Sequence, residues 1–407
     1  MNRLTIAWRN VARNRRRSLI TGGLVAFGFV SFTLAGGFMA QSFDGLRHNA
    51  IRSGLGHIQF ADPRAFERSE ETTLEFGIHQ AGAALKTMQA DPAVDVVMPR
   101  LEFFGLVTAG GTSIPFAGTG VDPEAEMRGS DIPKTVKDGA WLKSGTRTVV
   151  IGRGLAKLLN AKLGDNLTLL ATTPDGTLNA TDVTIGGIAE IFIKELSERY
   201  LALPLPLAQD LLTAPDTVSR ISVILKESAS ETAVAARLHD RLNAAGIRLD
   251  RRLWSDLAVF YQQVRVLYIG IFGFMGTVLV IIVFLSTFNT TLMSVTERTR
   301  EIGTLRALGA RSRRIATGFV LEGALLGMAS AIGGTLLSLV ITLILNLSEI
   351  HMPPPPGMAK GIVIHVQVIP TVYLLATLSM IVTLAIASYF PARRAARAPI
   401  VESLAHV

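Results

Sequence analysis

The sequence predicts an α-helical membrane protein with four transmembrane helices plus a large α+β extracytoplasmic domain in two lobes. Four stretches are almost wholly apolar, and each has the roughly 20 residues that a helix needs to cross the hydrocarbon core of a bilayer. Arginine residues gather beside these stretches. A long polar segment with short strand-like and helix-like runs separates the first stretch from the second, which predicts a folded domain on one side of the membrane.

The elements are predicted in the following order along the chain. An amphipathic helix over 1–17 lies at the membrane surface, because Trp8 and several arginines favour the headgroup region. The other predicted segments are the first span at 18–42, the outside domain at 43–262, the second span at 263–290, a loop at 291–317, the third span at 318–347, a proline-rich outside loop at 348–367, the fourth span at 368–390 and a tail at 391–407.

Charge near the spans predicts their orientation. The N-terminal segment and the loop at 291–317 are rich in arginine, and so is the tail, whereas the connector over 346–370 has one lysine and no arginine. Short loops rich in lysine and arginine stay in the cytoplasm, so both termini and the loop at 291–317 are predicted to be cytoplasmic. The first span is predicted to be a retained signal anchor, since its apolar run exceeds the roughly 7–15 residues of a signal-peptide core.

The polar segment is predicted to form two lobes. A mixed α/β lobe comprises 43–100 and 207–262, and an inserted, mainly β lobe comprises 101–206. In the inserted lobe, Gly152 and Gly154 predict a turn into a short helix ending at 163–165 rather than a phosphate-binding loop, because the third glycine of that pattern is missing. The mixed lobe should contain two β-α-β units, with strands at 57–60, 94–98, 219–225 and 247–250 and helices at 78–89 and 231–244.

The chain lacks the motifs of an enzyme. It has no cysteine, no Gly-Lys pair and therefore no P-loop, and its seven histidines are scattered without metal-ligand spacing. We therefore predict no catalytic residue, no metal site and no cofactor on this chain. The net charge of +8 does not indicate nucleic-acid binding, because the arginines lie at membrane edges.

The strongest local motif is the segment 296–310 between the second and third spans, which we call the elbow. It reads TERTREIGTLRALGA. Helical spacing places Ile302, Leu305 and Leu308 near one face, allows Arg298 to reach Glu297 or Glu301, and makes Gly309 a helix stop. Spacing alone leaves two interpretations open: a short amphipathic helix that contacts a cytoplasmic partner, or a solvated loop.

Other polar and small residues in the spans allow further predictions. Glu322 lies one turn into the third span, where it is predicted to pair with Arg313 or Arg314, or to act as an intramembrane brace for the elbow. A set of glycines in the same span predicts close packing of helices within the bundle, namely Gly323, Gly327, Gly333 and Gly334. The proline run at 353–356 predicts a stiff polyproline segment that braces the outside domain or docks a partner.

The elbow resembles the signature of the FtsX-like permease superfamily, which includes the lipoprotein-releasing permeases LolC and LolE and the macrolide exporter MacB. The similarity extends over the chain, because 389–395 and 151–165 also resemble family segments and the order of spans and outside domain is the same. The resemblance implies an outside domain of the MacB periplasmic core type and a coupling helix that docks on an ABC ATPase. The coupling residues it implies are Glu297, Arg298, Arg300, Glu301, Ile302, Gly303, Arg306, Ala307, Leu308, Gly309 and Ala310.

The resemblance also implies partners and a location. No ATPase domain is fused to this chain, so its layout is closer to LolC and LolE than to MacB. The implied assembly lies in the cell inner membrane and contains two separate ABC ATPase subunits, which hold ATP and Mg²⁺. It also contains a second permease subunit, identical or related. Membrane lipid and a periplasmic lipoprotein chaperone or adaptor complete the implied partners.

Several functions remain open at this point. The first is lipoprotein release from the inner membrane, with mechanical transmission of the ATPase cycle to the outside domain. The alternatives within the superfamily are tripartite efflux of small molecules or peptides, and regulation of a cell-wall hydrolase. The large outside domain argues against a hydrolase regulator, whose domain is smaller in this superfamily. A receptor, from an unrelated class, would need a cytoplasmic signalling domain.

Overall fold

The computed structural model describes residues 15–66, 76–191, 193–227, 229–348, 350–352 and 362–399. Residues 1–14 of the predicted surface helix, the proline run at 353–356 and residues 400–407 lie outside this range. The α-helices are α1 (Arg15–Ala50), α2 (Ala81–Gln89), α3 (Pro123–Gly129), α4 (Arg153–Leu158), α5 (Lys194–Ser197), α6 (Leu205–Leu212), α7 (Glu231–Ala244), α8 (Trp254–Leu257), α9 (Val259–Glu297), α10 (Thr299–Ala307), α11 (Ser312–Leu347) and α12 (Pro370–Ala395).

The described strands form one ten-stranded sheet and one two-stranded sheet. In the large sheet the order is β10-β1-β9-β2-β3-β8-β5-β7-β4, and β6 pairs with β2 and β7. The strands are β1 (Ile58–Ala61), β2 (Val94–Ala109), β3 (Thr112–Val121), β4 (Val136–Gly139), β5 (Thr148–Gly152), β6 (Asn166–Thr172), β7 (Leu178–Ala189), β8 (Tyr200–Pro204), β9 (Arg220–Leu225), β10 (Asp250–Leu253), β11 (His351–Met352) and β12 (Ile362–Val363).

The chain divides into two compact units. The bundle unit comprises Met1–Phe43, Val264–His351 and Val363–Val407, and the domain unit comprises Asp44–Gln263 and Met352–Ile362. Four helices, α1, α9, α11 and α12, are long and apolar enough to cross a membrane. With 36 and 39 residues, α1 and α9 exceed the roughly 20 residues that a bilayer core requires, so both helices continue beyond it.

Small and aromatic residues pack the interior of the bundle unit. A Cβ atom built on Gly334 would lie 2.8 Å from the ring of Phe29, and one on Gly327 would lie 3.2 Å from the Cα atom of Ile381. One on Gly323 would lie 2.9 Å from the carbonyl oxygen of Leu384. A Cβ atom on Gly333 would meet no atom of the described residues within 4 Å, so this glycine does not lie at a close contact between the described helices.

The second long apolar helix, α9, is the most exposed of the four. Only 6% of its apolar window is buried, against 28–33% for the other three helices. Several of its large side chains, among them Phe274, Met275 and Leu285, are more than half exposed. In a membrane such a surface contacts lipid or another apolar helix.

The mixed lobe of the domain unit has its own core. Helices α2 and α7 cover β1, β9 and the first half of β2, and their core residues include Phe60, Met88, Val223 and Leu238. Two predicted elements needed correction. Helix α2 begins at Ala81 rather than at residue 78, because Gln80 has a left-handed backbone (φ 59°). The last strand occupies 250–253 rather than 247–250, because Ile247 donates back to the carbonyl of Leu242 and extends the helix end.

The inserted lobe has a second core, which includes Phe103, Phe116, Ile151 and Leu169. It is mainly β, as predicted. The strand β2 belongs to both lobes, since its first half pairs with β9 and its second half pairs with β3 and β6. This shared strand joins the two lobes into a continuous sheet.

The glycine turn in the inserted lobe is structural. Strand β5 ends at Gly152, and α4 ends at Leu158 rather than at 163–165, followed by Asn160 with a left-handed backbone (φ 51°). The amide of Gly154 donates to the hydroxyl of Ser197 (3.0 Å). The two glycines therefore allow the backbone around Ser197 to approach closely. Helix α4 is too short to offer a phosphate site.

A buried carboxylate ties α2 to α7 in the mixed lobe. Asp91, whose side chain is fully buried, accepts from Arg237 at 2.7 and 2.9 Å and pairs with Arg241 at 3.1 Å. Hydrogen bonding to Arg237 lowers the pKa of Asp91 from 3.8 to about 2. A lowered pKa means that the ionised carboxylate is more stable in the folded chain than in the unfolded one.

The domain unit is therefore expected to lose stability in acid between about pH 4 and pH 2. The unfolded chain binds a proton at Asp91 before the folded chain does, so roughly 2 kcal/mol is present above pH 4 and disappears as pH approaches 2. Urea unfolding of the full chain in detergent, followed by tryptophan fluorescence, measures this. Asp91→Asn should be less stable than the wild type near pH 6 but not near pH 2, whereas the exposed control Asp175→Asn should match the wild type throughout. A deficit in Asp91→Asn that is independent of pH would contradict the assignment.

Candidate functional site

The elbow is a short helix held between two long ones. Helix α9 ends at Glu297, the backbone at Arg298 departs from helical geometry (φ −107°, ψ 17°), and α10 follows over nine residues. Gly309 has a left-handed backbone (φ 87°), and the amides of Gly309 and Ala310 donate to the carbonyls of Arg306 and Leu305. This pair of bonds is a Schellman C-cap, so Gly309 stops the helix as the sequence predicts.

One face of α10 is anchored to the bundle unit. Ile302 is 4% exposed and lies in a cluster with Val295, Ile315 and Phe319, and the neighbouring Gly303 is buried. The guanidinium of Arg306 donates to the carbonyl of Ala398 on the chain after α12. These contacts tie the elbow to three helices of the bundle.

Much of the remaining surface of α10 is exposed. Leu305 and Leu308 are 50% and 80% exposed, and Arg300 and Glu301 beside them are also exposed. Helical spacing places these two leucines and Ile302 near one side of the helix, as predicted, but only Ile302 is buried. Leu305 and Leu308 lie roughly 60° and 120° around the axis from Ile302, on the side away from the buried Gly303.

Arg298 and Glu322 form an ion pair beneath the elbow. The Nη1 atom of Arg298 lies 3.2 Å from Oε1 of Glu322, and the two side chains are 9% and 19% exposed. The structure thus pairs Glu322 with Arg298, a partner that the prediction of Arg313 or Arg314 did not include, since both of those side chains are exposed. It also corrects the expected contact of Arg298 with Glu297 or Glu301.

The carboxylate of Glu297 pairs with Arg17 of α1 instead. The Nη1 atom of Arg17 lies 3.4 Å from Oε2 of Glu297. The two arginines therefore link the elbow to the first and third long helices. Both pairs join residues that are distant in sequence, so local helical spacing could not predict them.

In the domain unit, a three-residue cluster joins the ends of the chain segments that enter and leave it. The carboxylate of Glu231 accepts from Arg47 (2.7 Å), near the end of α1, and from the indole of Trp254 (3.0 Å), just before α9. The guanidinium of Arg47 lies 5.7 Å from the centre of the Trp254 ring. Glu231 thus holds both segments at the start of α7.

The domain unit contains a more deeply buried ion pair where its two lobes meet. Arg100, at the point where β2 changes partners, donates to both carboxylate oxygens of Glu126 at 2.7 and 2.8 Å. Arg100 is 8% exposed and Glu126 is 1% exposed. The guanidinium also packs against Gly54, whose backbone (φ 123°) suits glycine and which leaves no room for a Cβ atom.

Comparison with known families agrees with this arrangement. A family model described as "MacB-like periplasmic core domain" matches residues 18–241, which is more than half of the chain, and one described as "FtsX-like permease C-terminal" matches 273–400. The chain is an FtsX-like permease with a MacB-like periplasmic core domain. It is therefore a membrane protein of the ABC-transporter permease type, and its domain unit contains a periplasmic domain.

Relatives of the permease include two proteins similar over most of their length. The lipoprotein-releasing system transmembrane protein LolE of Haemophilus influenzae is 26% identical over 82% of this chain and 83% of its own. LolC of Xylella fastidiosa (strain Temecula1) is 26% identical over 80% and 81%. The macrolide export ATP-binding/permease protein MacB of Escherichia coli (strain K12) is 38% identical over 29% of this chain and 16% of its own.

Among the residues that the structure describes, no group of three or more His, Cys, Asp or Glu side chains could hold a metal ion. The residues that sequence reasoning missed are Arg17, the Arg100–Glu126 pair and the Glu231 cluster of the periplasmic domain. For Arg100 the signal was a charge just after the predicted strand at 94–98, whereas the charged segment around Glu126 did not distinguish that residue.

Proposed function

We propose that this permease is the membrane subunit through which a separate ABC ATPase drives the periplasmic domain, in a complex that releases lipoproteins from the inner membrane. The observation that carries the proposal is the elbow. Its inner face is fixed to the bundle by Ile302 and the Arg298–Glu322 pair, while Leu305 and Leu308 are exposed on its outer face. A rigid helix with exposed leucines is suited to docking, because apolar anchors dominate binding energy at protein interfaces.

Charge supports a cytoplasmic position for this docking face. The loop that contains the elbow has six arginines, and loops of that composition stay in the cytoplasm. The termini are placed on the same side by the same argument. The proposed ATPase subunits, two per complex, would hold the ATP and Mg²⁺ for which this chain has no P-loop.

Lipoprotein release is favoured over the alternatives by the extent of similarity. The relatives named for lipoprotein release match more than 80% of their own length, whereas the similarity to the macrolide exporter covers 16% of that protein. Tripartite efflux is therefore the second candidate. A periplasmic lipoprotein chaperone or adaptor would complete a release complex.

A second permease subunit, identical or related, would bind the exposed face of α9. The apolar window of this helix is only 6% buried within the chain. The aromatic cluster of Phe38, Tyr268 and Phe272 lies on α1 and α9, with ring centres 5.8–6.4 Å apart, and stiffens that side of the bundle. Lipid would cover whatever part of α9 a partner leaves exposed.

Leu308→Glu is expected to abolish co-purification of the ATPase while leaving the permease folded. Leu308 is 80% exposed, so the substitution removes an anchor of the docking face without opening the core. The test is affinity purification of the tagged chain from its native membrane in detergent, with mass spectrometry of the bound proteins. Loss of at least about tenfold of the bound ATPase is expected, which corresponds to roughly 1.4 kcal/mol of binding free energy.

The matched control is Leu178→Glu, an exposed leucine (69%) on β7 in the periplasmic domain, which should keep the ATPase. The same purification separates the candidate functions, because a co-purifying lipoprotein indicates release and an outer-membrane channel indicates efflux. A wild-type preparation without any ATPase would overturn the proposal.

A further inference from the structure

The base of the helix bundle contains a cavity of about 70 Å³ that is lined in part by polar side chains. It lies at the end of the bundle that carries the elbow, and all four long helices line it. Hydroxyl groups of Thr287 and Thr291 on α9 and of Ser388 on α12 face it together with Arg17, Arg298 and Glu322. Such a lining is unusual for the interior of a membrane-spanning bundle, where polar groups are costly unless they have partners.

Two polar atoms in this lining have no hydrogen-bond partner among the residues that the structure describes. They are Nη2 of Arg17 and Oγ1 of Thr287, and both atoms are buried. Thr287 as a whole is 2% exposed. A buried donor without a partner is destabilising, so both atoms indicate that something in the cavity hydrogen-bonds to them.

The size of the cavity and the polar groups in its lining point to water as the ligand. A cavity needs roughly 10–15 Å³ of accessible volume to hold one water molecule, and cavities that stay dry have apolar walls. This cavity is several times larger than that minimum. Its lining offers both hydrogen-bond donors, the guanidinium groups, and hydroxyl and carboxylate acceptors.

We propose that this cavity is a hydrated site in which bound water pairs with Arg17 and Thr287 and solvates the Arg298–Glu322 pair. Water reaches it past Arg17, whose side chain is 22% exposed and extends from the cavity to Glu297, itself 48% exposed. Because the ion pair is solvated on one side, its two charges can separate without entering a dry environment. The elbow can then move relative to α11 at a lower cost than a dry pair would impose.

The test uses cysteine accessibility, for which this chain is suited because it has no cysteine of its own. Thr287→Cys places a thiol in the cavity. The probe is Ag⁺, an ion close to water in size that binds thiolates and does not enter hydrocarbon. After a timed exposure of the full chain in lipid vesicles, the protein is unfolded, and the thiols that remain free are alkylated with N-ethylmaleimide and counted by mass spectrometry.

Thr342→Cys is the matched control. Thr342 is also a buried threonine of the bundle (3% exposed) with an unpartnered hydroxyl, but it does not line the cavity. Thr304→Cys, on the exposed surface of α10, gives the rate at which Ag⁺ protects a fully water-exposed thiol. If the cavity is hydrated, Ag⁺ should protect Thr287→Cys at least about tenfold faster than Thr342→Cys, since only a thiol in contact with water ionises readily.

Equal protection rates for Thr287→Cys and Thr342→Cys would overturn the proposal. Should Thr287→Cys fail to fold, Ser294→Cys, which also lines the cavity, is read in the same way. The experiment needs no ATPase and no cargo, so its result is independent of the proposed function.

Discussion

Replacing Glu126 with leucine is expected to lower the free energy of unfolding of the periplasmic domain by about 3–5 kcal/mol. The substitution leaves the guanidinium of Arg100 buried without its carboxylate, and Arg100 is only 8% exposed. Removing one partner of a buried ion pair costs more than the pair itself contributes, because the remaining charge is desolvated and uncompensated. The effect should be concentrated at the junction of the two lobes, where Arg100 packs against Gly54.

Hydrogen exchange of the full chain in detergent, read by mass spectrometry, is the appropriate measurement. Peptides covering β2, α3 and the segment around Gly54 should exchange faster in Glu126→Leu, while peptides from the bundle should not change. The double variant Arg100→Met/Glu126→Leu should recover most of the loss, since two apolar side chains of similar volume can replace a buried pair.

A surface pair supplies the control for this first expectation. Lys194→Met removes a pair of 3.9 Å in which the lysine side chain is 75% exposed, and it should cost less than about 1 kcal/mol. If the hydrogen-exchange rates of Glu126→Leu equalled those of Lys194→Met, the Arg100–Glu126 pair would contribute no more to stability than a surface pair. A double variant no better than Glu126→Leu would show that the leucine itself is not tolerated.

Gly323→Val is expected to destabilise the helix bundle by about 1–3 kcal/mol through overpacking. A Cβ atom at this position would lie 2.9 Å from the carbonyl oxygen of Leu384 and closer still to the hydroxyl of Ser388. The backbone of α12 cannot move aside without separating from α11, because these two helices pack along much of their length. The expected result is a lower midpoint of thermal unfolding in detergent and a broader gel-filtration profile.

Gly333→Val is the matched control for Gly323→Val. It makes the same substitution ten residues later in the same helix, at a position where a Cβ atom would meet nothing within 4 Å. This variant should unfold at the temperature of the wild type. Should it instead lose association with a second permease subunit, Gly333 would lie at an interface between subunits. Equal destabilisation by both substitutions would contradict the packing argument.

Local sequence patterns predicted the elements that depend on neighbouring residues. The long apolar stretches became α1, α9, α11 and α12, because apolar composition over such lengths admits few structures in lipid. Gly309 ended α10 as expected, since the Schellman cap is formed by residues within one turn. Helix α7 begins and ends as predicted, at Glu231 and Ala244, because its amphipathic period and flanking residues are local.

Contacts between residues far apart in sequence could not be predicted from local sequence patterns. Glu322 pairs with Arg298, 24 residues away, and not with the nearer Arg313 or Arg314, because the turn at Arg298 brings α9 back beside α11. In the same way, Leu305 and Leu308 became exposed while Ile302 was buried, which depends on where α12 and its C-terminal segment pack.

The primary structure alone was enough to establish the class of protein, the number of apolar spans, the position of the elbow and the absence of a P-loop. Composition, helical period and local capping determine the spans and the bounds of the elbow, whereas the class of protein is what the resemblance of the elbow to a known family implies. The polar cavity, the Arg100–Glu126 pair and the Glu231 cluster emerged only in the folded chain. Each joins residues from elements far apart in sequence, and their energies depend on burial and exact partners, which only tertiary packing decides.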